Sequence, residues 1–261
     1  NLILNSSFST NDMQHWTVEN MVMNSCILKD SVLNCNFLRM CGGRVYQEVT
    51  NLWKNDQKYS ISFWAKKAPS VISLTDYLTV GKKNKYIDIT RVTETSVTLN
   101  CINPENYCFH AIDITDVLIP GVAYKITYDV INGKNASISI DEATDSTFAN
   151  RTVISSSTVT AIEGRYYRLK IYANVTTTAV TGSYTNTYSN VFLRPVNDTV
   201  SITSSRSLVD KGNAEILSYD WARYTSIITS TNTVPGGTLS LSQSNTSIPV
   251  DITKIKLELG T

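Results

Sequence analysis

Histidine, the commonest acid–base and zinc-binding side chain, occurs only twice, at His15 and His110, and neither sits in an H-E-x-x-H or comparable spacing. A zinc site or a Ser-His-Asp triad is not expected from such a pair. Glycoside hydrolysis needs two carboxylates facing a cleft, and the neighbouring Asp141 and Glu142 point to opposite faces of a strand end. They read as turn residues, and no enzymatic activity is expected. Five cysteines, Cys26, Cys35, Cys41, Cys101 and Cys108, are an odd number without a repeated C-x-x-C unit. They read as reduced thiols of a protein made in a cytoplasm, although Cys26, Cys35 and Cys41 could meet across neighbouring strands in a single disulfide.

What remains is the chemistry of sugar recognition. Tyr and Trp offer a flat apolar face to the C–H side of a pyranose, while Arg and Asn direct hydrogen bonds to its hydroxyls. Tyrosine is abundant, with 14 residues. In "YYRLKIYAN", Tyr167, Leu169, Ile171 and Ala173 fall on one face and Tyr166, Arg168, Lys170, Tyr172 and Asn174 on the other. The second set is the candidate ligand face, against the alternative of ordinary cross-strand surface packing. Trp53, in the turn "NLWKND", reads as an exposed stacking platform or as a plug at the end of a sandwich.

These side chains need sheets to hold them, and the sequence predicts little else. Ser, Thr, Asn, Val, Ile and Tyr dominate, and no run of ten or more residues has apolar positions at helical spacing. "KYSISFWAKK" places Tyr59, Ile61, Phe63 and Ala65 on one face, and "AYKITYDV" does so with Tyr124, Ile126, Tyr128 and Val130. In the closing "DITKIKLELGT", Thr253, Ile255, Leu257 and Leu259 alternate with Lys254, Lys256 and Glu258. Turn signals "CGGR", "IPGV", "INGK" and "VPGG" separate the strands. The expected fold class is all-β, a jelly-roll β-sandwich.

Composition narrows the partners. In 261 residues, 17% are charged, and Lys+Arg 23 against Asp+Glu 22 leaves a net charge of +1. That balance lacks the basic footprint needed for nucleic acid or an anionic membrane. No apolar stretch is long enough for a membrane helix, and the residues from Asn1 onward do not read as a basic-then-apolar signal segment.

"NLILNSSFS", "HWTV", "VYQEV", "YSISFWAKK", "DWARYTSIIT" and "ITKIKLELGT" follow one another here. That order resembles the carbohydrate-binding-module-like jelly rolls of bacteriophage tail and receptor-binding proteins. In that family a K-L-E-x-G phrase ends the module and leads into the next, so the chain is expected to be a piece of a longer protein. More than a hundred residues separate "SFWAKK" from "DWARYT", where such a module has only a few strands. The expected layout is a discontinuous jelly roll, 1–76 plus 198–261, with a small β-sandwich module, 77–197, inserted into it; the alternative is two modules in tandem.

The resemblance also implies a structural Ca²⁺ held by oxygens of the opening strand and of an Asp in the last, here Asn5 and Asp251. "NSSFST" lacks the acidic residue that commonly follows the Phe, which weakens the donor set. Otherwise no cofactor is expected. By the same resemblance the chain is a non-catalytic virion module binding host surface polysaccharide. It would sit beside other tail subunits in a homo-oligomer and act at the host cell surface. Two other classes stay open, a purely architectural virion domain and the accessory binding module of a secreted bacterial glycosidase. Six N-x-S/T sequons, at Asn5, Asn135, Asn150, Asn174, Asn197 and Asn245, would stay bare in a bacterial host.

Overall fold

The computed structural model describes residues 3–31, 33–49, 53–154, 156–231 and 237–260. Apart from single 3₁₀ turns at Leu74–Asp76 and Thr115–Val117, every regular element among them is a β-strand, and every strand pairing is antiparallel. No helix among the described residues is long and apolar enough to cross a membrane. The fold is all-β, of the β-sandwich and jelly-roll type.

The chain forms two compact units, Asn1–Ala68 with Asp198–Thr261, and Pro69–Asn197. The break falls after Ala68 rather than after residue 76, because Val71, Ile72 and Leu74 are buried in the core of the second unit. The first unit opens with β1 (Thr17–Glu19), β2 (Met23–Asp30), β3 (Cys35–Cys41), β4 (Arg44–Glu48) and β5 (Lys58–Lys67). The second contains β6 (Ile87–Val92), β7 (Val97–Ile102), β8 (Cys108–Asp113), β9 (Ala123–Asn132), β10 (Ile138–Ala143), β11 (Arg151–Ile154), β12 (Thr158–Thr160), β13 (Tyr166–Asn174) and β14 (Ser183–Pro195). β15 (Ser201–Arg206), β16 (Asp210–Ile216), β17 (Ala222–Thr229), β18 (Thr238–Gln243) and β19 (Val250–Leu259) complete the first.

In the first unit one sheet runs β1-β4-β18-β15-β16 and the other β17-β5-β19-β3-β2. Strands remote in sequence are neighbours, as a jelly roll requires. Val45, Ile202, Leu239 and Leu241 of one sheet join Tyr59, Ile61, Phe63, Ile252 and Leu257 of the other in one core. Each such side chain contributes roughly 1.5–3 kcal/mol by leaving water. The closing strand departs from simple alternation. Lys254 has φ 50° and the pairing with β5 shifts between Thr253 and Lys256, so Ile252 and Ile255 both reach the core. Thr253 instead donates its hydroxyl to the Asn36 carbonyl at 2.6 Å, and Leu259, at the strand end, is 59% exposed.

The second unit pairs β11-β10-β13-β8 with β12-β9-β14-β7-β6. Tyr167, Leu169, Ile171 and Ala173 line its core, as their spacing predicts, with Tyr124, Ile126 and Leu193. Val130 lies 42% exposed near the end of its strand, outside the face it was expected to share.

Much of the tyrosine is spent on loops. The hydroxyl of Tyr59 accepts the amide of Lys54 at 2.8 Å, that of Tyr124 the amide of Ile119 at 3.0 Å, and that of Tyr167 the amide of Ile162 at 2.9 Å. In all three the ring is in the core and the hydroxyl reaches back five residues to tie the preceding turn, the logic of a tyrosine corner.

All five cysteines are free thiols. On β2 and β3, Cys26 lies opposite Arg39, Cys35 opposite Asp30 and Cys41 opposite Met23, so the register keeps the three thiols from facing one another. Burial pushes Cys41 and Cys101 up to about 12 and Cys108 up to about 11, leaving almost no thiolate at neutral pH. In the native protein a thiol reagent at pH 8 should therefore modify exposed Cys26 fast and spare Cys41, Cys101 and Cys108. All five should react in denaturant. Rapid native modification of Cys101 would mean that the core of the second unit opens readily.

Candidate functional site

The stripe on β13 is a buried charge cluster rather than an open ligand face. Asp141 of β10, fully buried, lies opposite Arg168 in the register, within the strand and not in a turn. Its Oδ2 accepts Arg168 Nε at 3.0 Å and Nη2 at 2.9 Å, Lys170 Nζ stands 2.8 Å from its Oδ1, and Arg151 Nε lies 3.3 Å from Oδ2. Lys170 is 2% exposed, and Tyr172, at 4%, packs edge-on against Phe109. Phe148 covers the Arg168 guanidinium at 4.4 Å. Of the predicted set only Tyr166 and part of Arg168 reach the surface. Tyr172 and Lys170 cannot stack on or donate to a sugar without leaving the packing, because a cation this deeply buried is held by its carboxylate.

The remaining predicted residues also face inward. Trp53 is 1% exposed, edge-on to Tyr59 with ring centroids 4.6 Å apart, and the Arg206 guanidinium lies 5.6 Å from its ring. It is the plug, not the platform. Asp251 is fully buried and both its oxygens are taken by Arg39, at 2.7 and 3.0 Å, so a guanidinium already supplies the positive charge a metal would bring. Asn5 holds the carbonyls of Asp12 and Gln14 through its side-chain amide. Among the described residues no group of three or more His, Cys, Asp or Glu is placed to hold a metal ion. Asn174 is also buried, donating to the Glu105 and Thr178 carbonyls, so its sequon cannot carry a glycan in the folded state.

A different face keeps its polar groups free. On the outer side of β1-β4-β18-β15-β16, Glu19 lies opposite Arg44, and Arg44 and Tyr46 lie opposite Ser242 and Ser240. Those serines in turn lie opposite Thr203 and Ser205, and Ser205 lies opposite Lys211. Two recesses of about 220 and 360 Å³ share Leu208 and Ser242 and form one shallow groove across this face. The larger is at the low end of the roughly 300–1,000 Å³ of small-molecule sites and the smaller falls below it.

Two backbone features shape the groove. Gly43 has φ 65°, and a Cβ there would stand 2.0 Å from the Glu19 carbonyl oxygen, so only glycine fits the wall between β1 and β4. At the other end Ser207 and Leu208 have φ 48° and 63°, and Val209 N–H donates to the Arg206 carbonyl at 2.9 Å, making a two-residue hairpin of the I′ kind. Leucine in that region costs of the order of 1–3 kcal/mol. The turn nevertheless places Leu208, 44% exposed, in both recesses.

No known family model matches the chain, and no curated protein does. Among solved structures it is similar to that of a proposed sugar-binding protein from Bacteroides thetaiotaomicron. The two are 11% identical, aligned over 100% of both chains, with a TM-score of 0.31. A likeness of that grade carries no argument about a ligand; the groove has to be judged on its own chemistry.

That chemistry separates committed from uncommitted groups. Arg44 Nε donates to Glu19 Oε2 at 2.6 Å while its guanidinium sits 4.7 Å from the ring centroid of Tyr46, two residues along β4 on the same face. Gln243 is spent on Gly42 N–H and the Ile248 carbonyl, and Ser244 on Ser201. The side chains of Thr203, Ser205, Ser242 and Lys211, by contrast, make no hydrogen bond or ion pair among the described residues. Ser205 is the notable one, 2% exposed with its hydroxyl unpartnered beneath the groove. The sequence signal for this face was the period-2 run of hydroxyls opposite Leu239 and Leu241 in "TLSLS", repeated in "SITSS". Short side chains carry little weight in an aromatic-led reading, and nothing in either run says that the two strands are neighbours.

Proposed function

We propose that this chain is a non-catalytic carbohydrate-binding module and that its ligand site is the groove over β4, β18, β15 and β16. The observation that supports the reading is the set of uncommitted donors and acceptors at Thr203, Ser205, Ser242 and Lys211, on the sheet face that also carries the ring of Tyr46. Sugar recognition needs closely spaced hydroxyl partners and one flat apolar face, in a cleft shallow enough for a chain to lie across. The order of motifs shared with tail-protein jelly rolls supports a setting on a bacteriophage tail, made in the bacterial cytoplasm and acting at the host surface. Several copies presented together would turn weak single sites into useful binding.

Thr203→Val and Ser242→Ala each remove a hydroxyl at a half-buried position, and each should weaken binding by roughly 0.5–1.5 kcal/mol per site. On multivalent display against a glycan array that loss multiplies, while melting should stay within about 0.5 kcal/mol of the parent. Tyr166→Ala, on the rival face, should bind like the parent. If the groove variants bind undiminished and Tyr166→Ala does not, the site lies on the second unit and this reading fails.

A further inference from the structure

We infer that the groove selects acidic saccharides, with the carboxylate or an equivalent anionic substituent seated between Lys211 and Ser205. The inference rests on the carbohydrate reading above and concerns which sugars the same groove takes. Charge is the first ground. Among the groove's ionisable residues Arg44 is cancelled by Glu19, whose oxygen it holds at 2.6 Å. Asp210, beside Lys211 in the chain, is turned to the other face, where it accepts from Thr231 N–H and lies 3.4 Å from Arg206 Nη1. Lys211 is left as a cation with no counter-ion among the described residues, at the wall of the smaller recess.

The second ground is the hydroxyl beneath it. Ser205 lies directly opposite Lys211 across the β15–β16 pairing, and its Oγ is buried without a partner. A buried hydroxyl left unpaired is costly, and a lysine opposite it in the register makes the place hospitable to an acceptor with negative charge. A carboxylate has two oxygens, one for Lys211 Nζ and one for the Ser205 O–H. A neutral hydroxymethyl at the same position would satisfy Ser205 but leave Lys211 unpaired. Leu208 at the hairpin tip lines the same recess and adds an apolar wall beside that pair.

The test is a glycan array in which each uronate-bearing oligosaccharide is printed beside its carboxyl-reduced twin, probed with the intact chain in multivalent form. The acidic twin should bind about tenfold better, a difference near 1.4 kcal/mol, and the preference should shrink as salt rises from 0.15 to 0.5 M. Lys211→Gln, at an exposed position, should fold normally and bring the twins level, and Lys211→Glu should reverse their order. Equal binding of the twins by the parent, or a preference kept by Lys211→Gln, overturns the inference and leaves the carbohydrate reading standing. Binding of neither twin anywhere on the array overturns both.

Discussion

Asp141→Asn is expected to destabilise the Pro69–Asn197 unit by about 3–5 kcal/mol, the usual cost of leaving a buried ion without its partner. Asp141 is fully buried, Lys170 is 2% exposed, and Arg168 and Arg151 share the same carboxylate. Removing the negative charge leaves an ammonium in a place it cannot leave and a guanidinium pinned under Phe148. Asparagine keeps the size and one acceptor, so packing changes little and the effect is electrostatic. Replacing Lys170 by Met as well should recover a good part of the loss, since a matched apolar replacement removes the need for a counter-charge.

The measurement has a built-in reference. All four tryptophans, Trp16, Trp53, Trp64 and Trp221, belong to the first unit. Tryptophan fluorescence therefore reports on that unit, while far-UV circular dichroism reports on both. In urea, the dichroism transition should move to lower denaturant in Asp141→Asn, and fluorescence shows how much of the change passes to the first unit. A shift below about 1 kcal/mol would mean that the cations are well solvated, and the β13 face would return as a candidate binding surface.

Trp53→Ala is expected to cost the first unit about 3–5 kcal/mol as well, in the range of other buried aromatic truncations. Its indole is 1% exposed, touches Tyr59 and lies beneath the guanidinium of Arg206, itself 2% exposed. Truncation opens a cavity between them and removes the ring that covers a buried cation. Trp53→Phe, which keeps an aromatic there, should cost much less. Denaturant unfolding followed by the remaining tryptophans reads the loss, and glycan binding measured well below the new midpoint should match the parent. The opposite pattern, unchanged stability with lost binding, would restore the stacking platform that the turn sequence suggests.

Both variants bear on residues that the sequence marks as binding groups and the structure places in the interior. Alternation was legible because a strand exposes its two faces to different surroundings. Tyr167, Leu169, Ile171 and Ala173 were assigned to the core for that reason, and the core holds them. Alternation does not say whether the second face meets water. On β13 it meets Phe109 and Phe148, which cover the stripe. Tyrosine abundance misled in the same way, since an aromatic with a polar tip suits a sugar and also suits a loop that needs its amide tied down, as at Tyr59, Tyr124 and Tyr167.

By itself, then, the sequence determined the all-β class, the core faces of β5 and β13 and the absence of paired spacing among the cysteines, because each depends on residues within a few positions of one another. The partner of Asp141, 27 residues away at Arg168, and that of Asp251, 212 residues away at Arg39, were decided only when strands from distant parts of the chain became neighbours. The groove was decided in the same way. Ser205, Ser240 and Tyr46 share one face because β15, β18 and β4 pair side by side, and an ordinary serine stands out only once its surroundings leave its hydroxyl without a partner.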